Sequence, residues 1–277
     1  MNVAATPTQP AIRASENFAR NLFFRGTDCL GATEVKQVFG IEVEAPPIPF
    51  TEEELVRARA LGQFLVLFAD KNATGAPLTM KGVCDHLGNK LADDGRLLYV
   101  LTNWYKEEVF FATNPIAPVL TWKFVSRKVI PDSTKENYLG QTQAIVDYLV
   151  NQVYEGEELP MLYQEAVEEF DANESRLDWL MDNDEQKATE ELVALKVNQL
   201  FRLSPGELVY SIALYQGVNR ERLLENVNSW TTSRDADGDL VYVGNADSDG
   251  AGVECYGPGY LNDDLGVLFS RSGLAES

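Results

Sequence analysis

The sequence predicts an α+β fold, with helix-rich N-terminal and middle parts and a C-terminal β scaffold. Three observations lead there. Helix-start signatures of the form Ser/Thr-x-x-Glu occur at Thr51, Ser133 and Ser204. A long acidic stretch of helix formers runs from Leu159 to Leu203. After Asn226 the helix formers vanish, and short alternating apolar runs are separated by Asp-Gly turns.

Taken in order, Met1 to Gln9 read as a loose tail, and short helices are expected near Ala14–Phe24 and Thr33–Phe39. Ala45-Pro46-Pro47-Ile48-Pro49 is a stiff extended connector and the clearest boundary. Thr51 and Glu54 form a capping box for a helix to about Ala60, and Gly62 stops it. Phe64–Phe68 is a continuous apolar run suited to a buried strand, and Thr79–Leu87 to a short helix. Leu97–Leu101, Val109–Ala112 and Val119–Ser126 read as strands. Trp104, Tyr105, Phe110, Phe111 and Trp122 supply bulk there, as core rather than as a binding groove. The Ser133–Glu136 box is expected to open a helix through Val153. Ser204-Pro205-Gly206-Glu207 opens another to about Gln216, with Pro at its first turn. Strands then follow around Leu240–Gly244, Val253–Gly257 and Leu265–Arg271. The division is an N-terminal arm (1–50), a mixed α/β then acidic helical body (51–200) and a display region (201–277).

Composition excludes several functions. The 277 residues hold 43 acidic against 23 basic side chains, a net charge of -20. Such a surface repels phosphate backbones and anionic membranes, so neither nucleic acid nor membrane is an expected partner. No apolar run approaches the ~20 residues of a membrane helix, and the N-terminus lacks the order of a signal peptide. A cytoplasmic location, or one in a phage particle, is the expectation, and an oligomer is compatible with the sequence. Cys29, Cys84 and Cys255 are too few and too scattered for a disulfide framework. Cys84 and His86 lack the second pair that a zinc site needs.

With a single histidine, His86, and no nucleophile elbow near it, serine and cysteine hydrolase chemistry is not expected. No phosphate-cradling loop or dinucleotide fingerprint occurs. The acidic residues from Glu165 to Glu174 sit at helix-surface spacing and read as a solvated face rather than as acid/base pairs. Asn245-x-Asp247-x-Asp249-Gly250 matches the first half of an EF-hand loop. The closing glutamate position falls on Tyr256, and no helical pair flanks the loop. The expectation is therefore no cofactor, with calcium at Asn245, Asp247 and Asp249 as the alternative to plain turn chemistry.

The order Trp230-Thr-Thr-Ser-Arg234, strand, Gly/Asp/Asn-rich loop, then Leu265-Gly-Val-Leu-Phe-Ser-Arg-Ser272 resembles the C-terminus of variable proteins of diversity-generating retroelements. The resemblance covers about residues 201–277. It implies a C-type lectin-like fold of the formylglycine-generating-enzyme type. It also implies a ligand surface diversified by adenine-directed mutagenesis, with no catalysis. Asparagine codons mutated at their adenines cannot encode Lys, Glu, Gln, Met or Trp. Between Thr231 and Ser272 there is no Lys, Gln, Met or Trp, and the only Glu is Glu254.

On that basis a fixed frame is assigned to Trp230, Ser233, Arg234, Gly244, Gly250, Val253, Gly266, Val267, Phe269 and Arg271. Trp230 and Phe269 act as apolar anchors, the glycines permit turns, and the two arginines bond backbone carbonyls. Display is assigned to Tyr242, Asn245, Asp247, Tyr256, Tyr260, Asn262 and Asp263, residue types that also dominate antibody loops. For Tyr242, between Val241 and Val243, strand packing is the equal alternative. The expected partner is a protein or small-molecule ligand at this surface. The competing functions are a structural component of a phage or shell assembly, and a carboxylate-based enzyme.

Overall fold

The computed structural model describes residues 13–23, 27–91 and 95–273. The tail Met1–Gln9 lies outside them. Helices dominate the N-terminal and middle parts and strands lie at the C-terminus, so the class is α+β.

Two short helices come first, α1 (Glu16–Leu22) and α2 (Ala32–Phe39), with strand β1 (Cys29–Leu30) between them. Helix α3 (Glu52–Ala60) starts on the Thr51 box, with Thr51 Oγ1 accepting from Glu54 N and Glu54 Oε2 accepting from Thr51 N. Strand β2 (Gln63–Phe68) is buried at every position, as its unbroken apolar run requires. Helix α4 (Met80–Leu87), capped by Thr79, follows.

Residues 109–112 depart from expectation. They form a short helix, α5 (Val109–Ala112), and Leu97–Leu101 contributes only an isolated bridge from Leu98 to Ala251. The β propensity of Val109-Phe-Phe is overridden by packing. Phe110 meets Trp104 and Phe111 meets Tyr105 edge-on, an arrangement that helical spacing serves. The third expected strand is present as β3 (Thr121–Ser126).

The Ser133 box does not form. Asp132 takes a left-handed conformation and Ser133–Lys135 closes a 3-10 turn. Ser133 is buried, and its Oγ accepts from Val267 N. Helix α6 (Tyr138–Tyr148) begins instead at Asn137, whose side chain accepts from Gly140 N, and it ends in a π turn over Leu149–Val153. The tertiary partner Val267 competes successfully for the hydroxyl. The acidic stretch forms α7 (Met161–Asn183), α8 (Glu185–Ala194) and α9 (Lys196–Phe201).

Helix α10 (Pro205–Asn219) is central. It is apolar on all sides and buried from Pro205 to Gln216, as such a helix must be. Its Ser204–Glu207 box is complete, and Lys123 Nζ reaches Glu207 Oε1 at 2.5 Å. Tyr210 donates to Leu67 O of β2 at 2.9 Å.

The remaining strands are β4 (Asn228–Arg234), β5 (Leu240–Asp247), β6 (Gly250–Tyr256), β7 (Leu265–Gly266) and β8 (Ser270–Ser272). They divide between two sheets. One has the order β6-β5-β4-β7, with β7 parallel to β4. The other is β1-β2-β3-β8, so the last strand pairs with residues from the middle of the chain. Strand β5 separates two cores by simple alternation. Val241 and Val243 join the core around α10, whereas Leu240 and Tyr242 join the core built by α6 to α9. Among the described residues, no helix is long and apolar enough to cross a membrane.

Candidate functional site

The register of the C-terminal meander puts Trp230 opposite Tyr242, and Tyr242 opposite Glu254. Tyr256, two residues on, is the diagonal neighbour of Tyr242, within aromatic reach on the same face. Tyr260 follows a turn in which its N–H donates to Gly257 O.

These rings form one continuous stack. Tyr256 and Tyr260 lie 4.0 Å apart with planes 10° from parallel, and Tyr242 and Tyr256 are 6.2 Å apart at the same angle. Trp230 meets Tyr242 edge-on at 5.2 Å, and Tyr138 of α6 meets Trp230 edge-on at 5.8 Å. Exposure rises along it from 1% at Trp230 through 7% at Tyr242 to 45% at Tyr256. Tyr242 therefore underlies the surface. Its inward β5 position buries it beneath Tyr256, and burial pushes its phenol pKa up.

The other residues assigned to display are Asn245, Asp247, Asn262 and Asp263, and all are exposed. Asn245, at a positive φ of 46°, donates its side-chain amide to Asp264 Oδ2 at 3.1 Å. Glu254 is half-buried beside Tyr242, and burial raises its carboxyl above the ordinary range.

Trp230 and Phe269 are fully buried, and Phe269 stacks on Phe201 at 5.4 Å. Two glycines are required by close approach. A Cβ at Gly244 would lie 2.3 Å from Val227 O. One at Gly250, where φ is +107°, would lie 2.4 Å from the Leu98 carbonyl carbon. A Cβ at Gly266 would press on Ser133 Oγ at 2.7 Å. Ser233 and Arg234 are half-buried at the end of β4, and Val253 and Val267 are buried.

Among the described residues, Arg271 bonds side chains rather than the backbone carbonyl expected of it. Its guanidinium bonds Glu54 Oε1 at 2.8 Å and Tyr154 Oη at 3.4 Å, above the rings of Phe50 and Phe124. A carboxylate satisfies a buried guanidinium better than a neutral carbonyl does.

Sequence reading missed the supports that helices supply from far along the chain. Tyr138 Oη donates to Thr231 O, and Gln141 Nε2 donates to Leu265 O. Arg202, fully buried, lies 3.9 Å over the Tyr138 ring and bonds Asn198 Oδ1. Burial lowers its pKa to about 10. Ser229 Oγ accepts from Leu268 N, and Thr231 Oγ1 donates to Val241 O. No local pattern signals these long-range contacts.

In the calcium candidate, Asp247 Oδ1 accepts from Asp249 N at 2.7 Å, while Arg222 bonds the carbonyls of Ala246 and Asp247. Those oxygens serve the β5–β6 turn. Among the described residues, Asp235, Asp239 and Cys255 bring one ligand atom each within 4.8 Å of one another. Asp235 Oδ1 already accepts from the N–H groups of Asp237 and Asp239. Burial and Asp235 push the Cys255 thiol up to about 12, which holds it protonated. This group braces the β4–β5 hairpin. What the surface offers is aromatic faces edged by amides and carboxylates, suited to stacking, hydrogen bonding and charge pairing.

Compared with known protein families, with curated proteins and with solved structures, the chain matches none.

Proposed function

We propose that this chain is a ligand-binding protein whose C-terminal meander displays a variable surface on a fixed frame, without catalysis. The observation that carries the reading is the graded stack from buried Trp230 to half-exposed Tyr256. Residues at its outer end are free to differ, because their side chains leave the core before they contact one another. Residues at its inner end are held by helix α6, whose Tyr138 meets Trp230 and bonds Thr231 O. The same separation is what a diversity-generating retroelement requires of its variable protein, and the resemblance at residues 201–277 supports that origin. Rigid tyrosines and short polar side chains suit recognition at low conformational cost.

Sequencing the DNA that flanks the gene tests the proposal. It predicts a reverse-transcriptase gene and a near-copy of the last ~100 coding bases, sized for the display segment at three bases per residue. Their absence removes the diversification half of the reading. A substitution at Tyr256 that left every ligand's affinity unchanged would remove the binding half.

A further inference from the structure

The same tyrosine platform carries a charge pattern that defines the chemistry of its ligand. From Asp235 to Ser270 the chain has eight acidic residues and no basic one. The corner between α7 and α8 leans on this surface. A Cβ at Gly257 would fall 1.9 Å from Glu185 Oε1, and Met181 Cε lies 4.0 Å from the Cβ position of Gly259. That corner adds Asp178, Asp182, Asp184 and Glu185. The basic residues beside these segments are Arg176, Lys187 and Arg234, with Arg222 bonded to the Asp247 carbonyl, and the acidic residues outnumber them. At the centre stands Tyr256, 45% exposed with its ring stacked on Tyr260, and beside them Leu261 is 57% exposed. An aromatic face inside a negative field attracts cations by the ring quadrupole and by Coulomb energy together.

We propose that the Tyr256–Tyr260 platform binds an arginine- or lysine-bearing segment of a partner protein. The cationic head lies on the part of Tyr256 that Tyr242 and Tyr260 leave exposed, and Glu254, Asp263 and Glu185 supply the surrounding charge. The aliphatic stem of such a side chain covers Leu261, which an ammonium ion alone would leave wet. This inference rests on the proposed display function and names its ligand class.

The test is selection of a random dodecapeptide library on the immobilised full-length chain, with a Tyr256→Ala/Tyr260→Ala variant as the counter-target. That variant keeps every charge, so binding to the acidic surface at large is subtracted. Peptides enriched on the wild type alone, and rich in Arg and Lys, are the expected result. Their affinity falls about fivefold in Tyr256→Ala, the scale of one partly exposed cation–π contact, and is kept in Tyr256→Phe. Glu254→Gln with Asp263→Asn, which leaves the tyrosines intact, weakens the same peptides and flattens their salt dependence. Tyr256-dependent peptides without basic enrichment would overturn the cationic inference and leave the display function standing. A selection with no peptide dependent on Tyr256 or Tyr260 would overturn both.

Discussion

Replacing Arg271 with alanine cuts the clasp between the last strand and the N-terminal body. The Arg271 side chain is 3% exposed and its partner Glu54 is 29% exposed. Their charge-assisted hydrogen bond contributes ~1.5–3 kcal/mol. The Phe50 and Phe124 rings, with centroids 5.1 and 5.0 Å from the guanidinium carbon, add about 1 kcal/mol together. Glu54 is not stranded by the change, because water reaches it and Thr51 N still donates to it at 2.9 Å. The loss is therefore about 2.5–4 kcal/mol, at the lower end of the range for a broken buried pair. In urea, a slope of about 3 kcal/mol/M for a chain of this size converts that into a midpoint lower by about 1 M. Tryptophan fluorescence and far-UV circular dichroism follow it. Arg271→Lys recovers only part of the loss, because an ammonium lacks the planar fork. The double variant with Glu54→Gln shows coupling of about 1 kcal/mol or more. An Arg271→Ala midpoint within about 0.2 M of wild type at equal slope would refute the clasp.

Four further outcomes follow from the same geometry. Trp230→Ala empties a site 1% exposed between Tyr138 and Tyr242, and costs ~3–5 kcal/mol by thermal or urea unfolding. Tyr256→Ala, at 45% exposure, shifts stability by less than about 1 kcal/mol; Tyr242→Ala, at 7%, costs several-fold more, and equal effects would contradict the layering. Gly250→Ala forces a Cβ against the Leu98 backbone at positive φ and lowers stability by ~2–3 kcal/mol in the same assay. Burial pushes the thiols of Cys29, Cys84 and Cys255 up to about 12 from 9.0. Their folded pKa values lie above the unfolded ones, so this contribution to stability is complete below pH 9 and is lost as the pH rises towards 12. A disulfide reagent at pH 8 accordingly modifies the native protein much more slowly than the urea-unfolded chain.

Elements whose cause is local were legible in the sequence. Thr51-x-x-Glu54 and Ser204-Pro-Gly-Glu207 each satisfy their own first-turn N–H groups, so the letters and the structure coincide. Ser133-x-x-Glu136 has the same letters and a different outcome, because Val267 N, 134 residues away, takes the Ser133 hydroxyl. Val109-Phe-Phe-Ala112 was misread for the same reason, its aromatic partners deciding helix over strand. In the site, the buried anchors Trp230 and Phe269 announce themselves as large apolar residues in a polar segment. The tyrosine stack does not, since it needs the register of three strands and a turn. Arg271 was legible as a fixed residue, but its carboxylate partner was not, because Glu54 lies 217 positions upstream.

The separation of frame from display is tested most directly by sequencing sister copies of this gene from one population. The account predicts differences at Asn245, Asp247, Tyr256, Tyr260, Asn262 and Asp263, through asparagine-type codons, with Trp230, Gly244, Gly250, Gly266, Phe269 and Arg271 unchanged. Differences spread evenly along the chain, or falling on the buried anchors as often as on Tyr256, would contradict it.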